Sequence, residues 1–300
     1  VNEAQALLTV IVLTRDEAMH LPRLIESCRG LSCRILVVDS GSTDGTPEVA
    51  RHLGAEVYNH PFESHAAQFN WALDQLPIDT PWVMRMDADE YLLPALVEEL
   101  GRTLSAAPAV VGGWMVRRRV YFWGRWIRHG GYYPTWLLRV WRTGAGRIEE
   151  RLMDEHAVLS KGEIRRFEHD IVDENLKGLG PWIDKHNRYA DHEVLDLVAG
   201  NTGLEDAGAP AGQAGRRRRL KFSLYGRAPL FLRAFLYWFY RYFVRLGLLD
   251  GVPGLVFHFL QGFWYRFLVD AKLYERRLRE TGAWGETAGK PARDSERDLS

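Results

Sequence analysis

The chain has 300 residues, 46% of them hydrophobic and 26% charged, enough to bury one substantial core and a further subdomain and too apolar for a disordered chain. Its 39 basic and 39 acidic side chains balance to +0, which argues against a globally basic nucleic-acid binder. Cys28 and Cys33 have neither C-x-x-C spacing nor metal partners, pointing to a reducing compartment without a disulfide framework, and the first residues show no signal-peptide pattern.

Leu7 to Leu13 is a continuous, largely β-branched run of the kind buried on both faces of a sheet. Thr14-Arg15-Asp16-Glu17 follows, then a helical pattern through Leu21, Leu24, Ile25 and Cys28 that stops at Gly30. A second buried strand, Arg34 to Asp39, enters the Ser40-Gly41-Ser42-Thr43-Asp44-Gly45-Thr46 loop, with Pro47 in the first turn of the next helix. Val57-Tyr58 reads as a short third strand, Ser64 to Leu76 as a helix, and Trp82 onward as a fourth strand. This alternation predicts a parallel sheet covered by helices on both faces, with ligands beyond the carboxyl ends of its strands. Neither G-x-G-x-x-G nor G-x-x-x-x-G-K-[ST] is present, so a nucleotide here lacks the usual phosphate cradle.

The fourth strand, Trp82 to Tyr91, ends in Asp87, Asp89 and Glu90. Residues two apart on a strand share a face, so Asp87 and Asp89 are expected to point the same way. Oxygen ligands of this kind suit Mg2+ or Mn2+, whose shell is completed by water and substrate phosphates. The plainer alternative is a solvated acidic turn.

Val10-Ile11-Val12-Leu13-Thr14-Arg15-Asp16-Glu17, Val37-Val38-Asp39-Ser40-Gly41-Ser42-Thr43-Asp44-Gly45-Thr46 and Asp87-Ala88-Asp89-Glu90 resemble, in that order, the three signatures of family 2 glycosyltransferases of GT-A fold. The resemblance is close over about the first 110 residues and departs from the family at Arg15-Asp16, where a small residue and Asn are more usual. It implies an α/β, Rossmann-like mixed sheet binding a UDP- or GDP-linked sugar. Asp39 would accept from the base, Thr14 and Glu17 contact the nucleoside, Asp87 and Ala88 lie by the ribose, and Asp89, helped by Asp87, hold the metal. Asp44 and Glu17 have a second reading as helix caps. Gln68 and Asn70, in a helix similar to one in lipopolysaccharide-core and exopolysaccharide members, are further donor-site candidates against ordinary helix surface.

Sugar transfer also needs a base for the attacking hydroxyl. The resemblance places it in Asp154-Glu155, with Glu155 preferred, and His156 beside it as an acceptor or diphosphate contact. Between Trp114 and Trp141 aromatics alternate with Arg117, Arg118, Arg119, Arg125, Arg128 and Arg139, an expected acceptor platform and diphosphate grip. Lys185 and Arg188 are candidates for an anionic acceptor or for packing.

Residues 201–215 read as a Gly/Ala/Pro linker, 216–281 as an aromatic-rich helical membrane-association region opening on Arg216 to Arg219, and 282–300 as a disordered tail; 1–110 and 111–200 are the donor and acceptor halves of the catalytic domain. On a helix, Leu232, Phe235, Phe239, Phe243 and Leu246 fall opposite Arg233, Arg241 and Arg245, and the arginines interrupt every window long enough to span a bilayer. The pattern suits a helix lying in an anionic membrane interface, packing on protein or a second subunit being the alternative. Leu249-Asp250-Gly251-Val252-Pro253-Gly254 is similar to a segment of bacterial members that glycosylate lipid-linked acceptors. The expectation is a metal-dependent inverting transferase at the cytoplasmic face of a bacterial inner membrane, acting on a polyprenyl-diphosphate-linked saccharide. Transfer to polyprenyl phosphate and a catalytically silent assembly protein are the alternatives.

Overall fold

A computed structural model describes residues 6–149, 156–198 and 229–282. Its centre is a nine-stranded mixed sheet. Strands β1 (Leu8–Thr14), β2 (Cys33–Asp39), β3 (Glu56–Asn59) and β4 (Trp82–Asp87) run parallel in the order β3-β2-β1-β4, separated in sequence by α1 (Leu21–Ser27), α2 (Thr46–His52) and α3 (His65–Gln75). The sheet continues through β5 (Glu90–Leu92), α4 (Pro94–Ser105), β6 (Val111–Phe122), β7 (Arg125–Trp126), β8 (Thr135–Arg142) and β11 (Glu163–Glu174) in the order β4-β8-β6-β11-β5, β7 pairing with β6. β8 is antiparallel to both β4 and β6, which makes the sheet mixed as expected of a GT-A domain. A small hairpin of β9 (Gly146–Ile148) and β10 (Ala157–Leu159) stands apart from it.

The apolar runs of β1, β2 and β4 are explained by two cores. Side chains alternate across a strand, so Val10, Val12, Val37, Met84 and Met86 join Leu21, Leu24, Leu96 and Leu100 on one face. Ile11, Leu36, Val38 and Val83 meet Ala66, Phe69 and Ala72 of α3 on the other. Such two-sided burial leaves few polar groups along these strands, Thr9 and Arg85 among them, and gathers the carboxylates at the carboxyl ends of β1, β2 and β4, which become the polar rim.

The chain divides into two compact units, Val1–Ile183 with Phe239–Phe259 and Asp184–Trp238 with Leu260–Ser300. The stretches 1–110 and 111–183 thus share one unit, and the helical region expected at 216–281 contributes to both. The first unit includes the turns after α6 (Leu232–Phe239) and helix α7 (Gly251–Phe257). In the second, α5 (Leu179–Val198) and α8 (Tyr265–Glu280) bury Ala190, Val194, Tyr265, Val269 and Leu273 together, and the Glu193 carboxylate accepts from Tyr265 Oη and Arg266 Nη1, both at 2.6 Å.

Two of the three arginines of the expected stripe are turned inward, each within its own unit, while Arg245 is exposed. Arg233 is buried against Asp270 at 2.7 Å, and Arg241 Nε donates to Gly130 O at 2.6 Å, while Leu232, Phe235, Phe239, Phe243 and Leu246 stay exposed. No single helix among the described residues is long and apolar enough to cross a membrane; Leu232–Val244 with Gly247–Glu280 meets the length and composition requirement only as a bent pair.

Candidate active site

Parallel register brings the expected residues to one edge. Thr14 is opposite Asp39 and Leu13 is opposite Asp87, so Asp39 and Asp87 flank β1 at a backbone separation of about 10 Å, two strand spacings. Thr14 Oγ1 donates to Asp39 Oδ1 at 3.0 Å. The same oxygen accepts from Ser42 Oγ at 2.5 Å, and Asp39 Oδ2 accepts the N–H groups of Gly41 and Ser42, both at 2.9 Å. Gly41 has φ 82°, a conformation that lets the chain turn back over the carboxylate. A carboxylate has about four acceptor positions, so Asp39, buried to 1% exposure, has all of its capacity occupied within the protein.

The two rim loops are joined to each other. Asp16 N–H donates to Ser42 Oγ and Asp16 Oδ1 accepts Thr43 N–H, both at 2.8 Å; Ala18 N–H reaches Asp44 Oδ2 at 3.0 Å. Asp44 also takes Thr46 N–H at 3.0 Å at the start of α2, from the position before the N-cap residue Gly45. Burial opposes its charge, but these hydrogen bonds outweigh burial and hold its carboxyl below the usual range. Beside the Asp39 loop lies an open cleft of about 540 Å³, lined by Ser40, Gly41, Arg51, Asn59 and His60.

Asp87 is the last residue of β4, but Asp89 lies in the turn before β5, so strand alternation does not set their relative direction. What orders this turn is Arg139 of β8. Its Nη2 donates to Asp87 Oδ2 at 2.8 Å and to Glu90 Oε1, while Glu90 Oε2 accepts Asp87 N–H at 3.0 Å. Burial alone would raise the Asp87 carboxyl, and Arg139 followed by Arg85 drive it well below the usual range; with 42% of that side chain exposed, water shares in the stabilisation. Glu90 is fully buried, and burial, with Asp87 and Asp173 adding to it against Arg139, pushes its carboxyl up to about 8. One buried guanidinium thus serves two carboxylates, and the more exposed of them keeps the charge.

Asp89 Oδ2 accepts Asn175 Nδ2 at 3.0 Å, and its Oδ1 has no partner among the described residues. Asp87 and Asp89 form an oxygen-only donor set, which fits a hard divalent cation. Among the described residues no group of three or more His, Cys, Asp or Glu could hold a metal ion.

The residues following β11 lie over this rim, which the sequence reading missed. Glu174 N–H donates to Asp89 O at 3.1 Å, and Arg23 Nη1 pairs with Glu174 Oε2 at 2.6 Å. Lys177 Nζ meets Glu17 Oε1 at 2.6 Å. Buried His20 accepts Leu176 N–H on Nε2 at 2.9 Å, which leaves the ring proton on Nδ1 to donate to Glu17 Oε2 at 2.6 Å. Glu17 is therefore a joint between the first loop and residues 174–177. No spacing in the sequence announces these partners; buried His20, next to the apolar Leu21, was the nearest signal.

Gln68 and Asn70 are neither helix surface nor open to a ligand. Gln68 Nε2 supports Ser40 Oγ at 2.7 Å, and Asn70 exchanges two hydrogen bonds with the backbone of Ile148, at 2.9 and 3.0 Å. That clamp holds β9, and Glu149 N–H donates to His156 O at 2.9 Å. Asp154 and Glu155 lie outside the described residues; exposed His156 marks the far end of their segment. Ala88 is buried beneath the turn, and Lys185 and Arg188 are exposed on α5 in the second unit.

The arginine-aromatic stretch is largely self-satisfied. Arg117 and Arg119 donate to buried Asp170 at 2.6 and 2.5 Å, Tyr133 Oη joins them at 3.0 Å, and Arg119 stacks on Trp126 at 4.4 Å. Of the six arginines expected to grip phosphate, Arg139 touches Asp87, as a buried counter-ion, and Arg118, paired with Asp173 at 3.2 Å, adds to the field that favours the Asp87 charge.

A mixed sheet whose three successive carboxylate-bearing loops meet on one rim is the arrangement of a GT-A domain. Residues 9–157 match the model of glycosyl transferase family 2. The chain is 30% identical to the lipopolysaccharide core biosynthesis glycosyltransferase LpsC of Rhizobium meliloti over 90% of its own length and 92% of that protein. It belongs to family 2 and is a glycosyltransferase. It is also 33% identical to the succinoglycan biosynthesis protein ExoA of the same species, over 26% of this chain and 27% of that one. Among solved structures it is similar to the mannosyltransferase PcManGT of Pyrobaculum calidifontis in complex with GDP-Man and Mn2+, at 16% identity, 91% and 88% coverage and a TM-score of 0.48.

Proposed function

We propose that this glycosyltransferase builds a bacterial cell-surface polysaccharide, moving a sugar from a UDP- or GDP-linked donor to a hydroxyl of a lipid-linked saccharide with inversion at the anomeric carbon. The observation that carries the reading is the contrast on the rim between saturated Asp39 and the Asp87–Asp89 turn, which keeps carboxylate oxygen available. Kinship with LpsC supports the polysaccharide product, and exposed apolar side chains support work at the cytoplasmic face of a membrane.

The nucleoside would enter the cleft beside the Asp39 loop, whose shape Asp39, Thr14, Ser42 and Gln68 maintain. Asp89 and Asp87 would hold Mg2+ or Mn2+, which when bound neutralises the diphosphate leaving group. Glu155 or Asp154 takes the proton of the attacking hydroxyl, and β9, clamped by Asn70, holds one end of the segment that carries them. His156, Lys185 and Arg188 remain candidates for the acceptor's anionic groups.

Nucleoside diphosphate release from UDP- and GDP-sugars, measured with Mn2+ and a lipid-linked acceptor, tests this. Asp89→Ala should lower turnover by about 10³-fold with its unfolding midpoint unchanged, since several kcal/mol of charge stabilisation are lost. Full activity in that variant would remove the metal reading. Glu155→Gln or Asp154→Asn should cost about 10²- to 10⁴-fold; near-normal turnover in both would point to a phosphate-oxygen acceptor that needs no base.

A further inference from the structure

In the first unit, the loop from Trp123 to Tyr132 and the segment from Tyr240 to Phe259 are fastened together at a buried acid. Asp250 accepts the N–H groups of Arg128 and His129 at 3.3 and 3.0 Å and His129 Nδ1 at 2.6 Å, with His258 Nε2 at 3.4 Å. The His258 ring fills the gap between Gly130 and Gly247, where a Cβ would come within 2.1 and 2.7 Å of it. Gly130 N–H donates to Arg245 O at 2.9 Å. These contacts make the two segments one edge of the unit.

The outward side of that edge is apolar where water would favour polar residues. Helix α7 turns Gly254 and Phe257 inward, yet its other face shows Val252, 71% exposed, and Leu255. Val244, Leu249 and Trp123, each at least half exposed, extend the surface. A helix that is apolar all round belongs against an apolar medium. The same two segments carry Arg125, Arg128, Arg241 and Arg245, and their one carboxylate is buried Asp250. The Arg245 guanidinium lies over Gly131, 3.6 Å from where a Cβ would stand, and Arg125, Arg128 and Arg245 are exposed.

We propose that this edge docks on an anionic lipid bilayer, with Val244, Leu249, Val252 and Leu255 entering the acyl boundary and Arg128 and Arg245 meeting headgroup phosphates. Charge decides between occupants: an apolar protein face would cover the aliphatic side chains and strand the adjacent arginines, whereas anionic lipid supplies both media at the required depth. The assignment rests on the lipid-acceptor reading for its purpose, because it brings the unit bearing the nucleotide rim to the surface where such an acceptor is anchored.

The full chain should be sedimented with vesicles of phosphatidylcholine alone and of phosphatidylcholine mixed with phosphatidylglycerol. Wild type should favour the anionic vesicles. Arg128→Ala/Arg245→Ala should weaken that binding about 25-fold, about fivefold per arginine at roughly 1 kcal/mol each. Val252→Asp/Leu255→Asp should abolish binding to both vesicle types; all four positions are exposed, and circular dichroism melting checks that the variants stay folded. Wild-type binding by both variants would overturn the proposal. So would loss of a dimer in gel filtration by Val252→Asp/Leu255→Asp with vesicle binding intact, which would assign the edge to a second copy. Transfer to a water-soluble saccharide, measured in parallel, is independent of docking: its absence in wild type counts against the enzymatic reading alone, and its persistence in the aspartate variant separates docking from chemistry.

Discussion

Two carboxylate-bearing corners of one rim behave differently. At the end of β2, Asp39 spends every acceptor position on Thr14, Gly41 and Ser42 and becomes the anchor of its loop. At the end of β4, Asp87 and Asp89 are held from the side by Arg139 and Asn175 and retain exposure. The same residue type at equivalent strand ends is thus a structural staple in one place and keeps an open carboxylate oxygen in the other. The partners decide: backbone N–H groups close a carboxylate off, while a guanidinium on one edge fixes its direction and leaves the other edge open.

Three substitutions put that contrast at risk. Arg139→Ala takes the buried counter-charge from the Asp87 carboxylate and the donor from Glu90 Oε1, and should destabilise the fold by about 3 to 5 kcal/mol in chemical denaturation, the largest effect expected on the rim. A small loss would mean that the turn is organised otherwise. Asp39→Asn turns an amide N–H₂ toward donors that a carboxylate satisfied, so about 2 to 3 kcal/mol of stability should go, together with nucleotide binding measured by calorimetry. Unchanged stability would return Asp39 to the role of a direct base contact.

The smallest effect concerns pH. Because the folded-state Glu90 carboxyl is raised from 4.5 to about 8, the folded protein holds a proton there that the unfolded chain releases, and this group's contribution falls as pH rises across that window. The unfolding temperature of Glu90→Gln relative to wild type should therefore become more favourable from about pH 5 to pH 8. A flat difference would show that Arg139 keeps Glu90 ionised throughout.

The helices and strands of the parallel half were legible because each is written locally. β1, β2 and β4 are short apolar runs bounded by polar punctuation; the structure places β1 and β2 within a residue of their expected limits, while β4 starts at Trp82 as expected but ends at Asp87, four residues before Tyr91, because the chain turns at Ala88-Asp89 into a separate strand. The rim followed from the rule that ligands lie beyond strand carboxyl ends. The role of Arg139 was not legible, since it stands 52 residues from Asp87 in a stretch whose alternating arginines and aromatics look equivalent. The same holds for Asn175 and Lys177, 86 and 160 residues from their partners. For Gln68 and Asn70 a helical pattern states which face they occupy, but not that β9 and the Asp39 loop arrive there to bury them.

What the amino-acid order alone determined is therefore the set of strands and helices, their parallel start and the gathering of carboxylates at one edge, because periodicity, turn residues and apolar runs act over a few residues. Tertiary structure alone decided which of those carboxylates is closed off and which stays open, and that the apolar face of residues 239–259 turns outward beside arginines. Both outcomes depend on pairings between strands and loops far apart in the chain, whose geometry no local pattern contains.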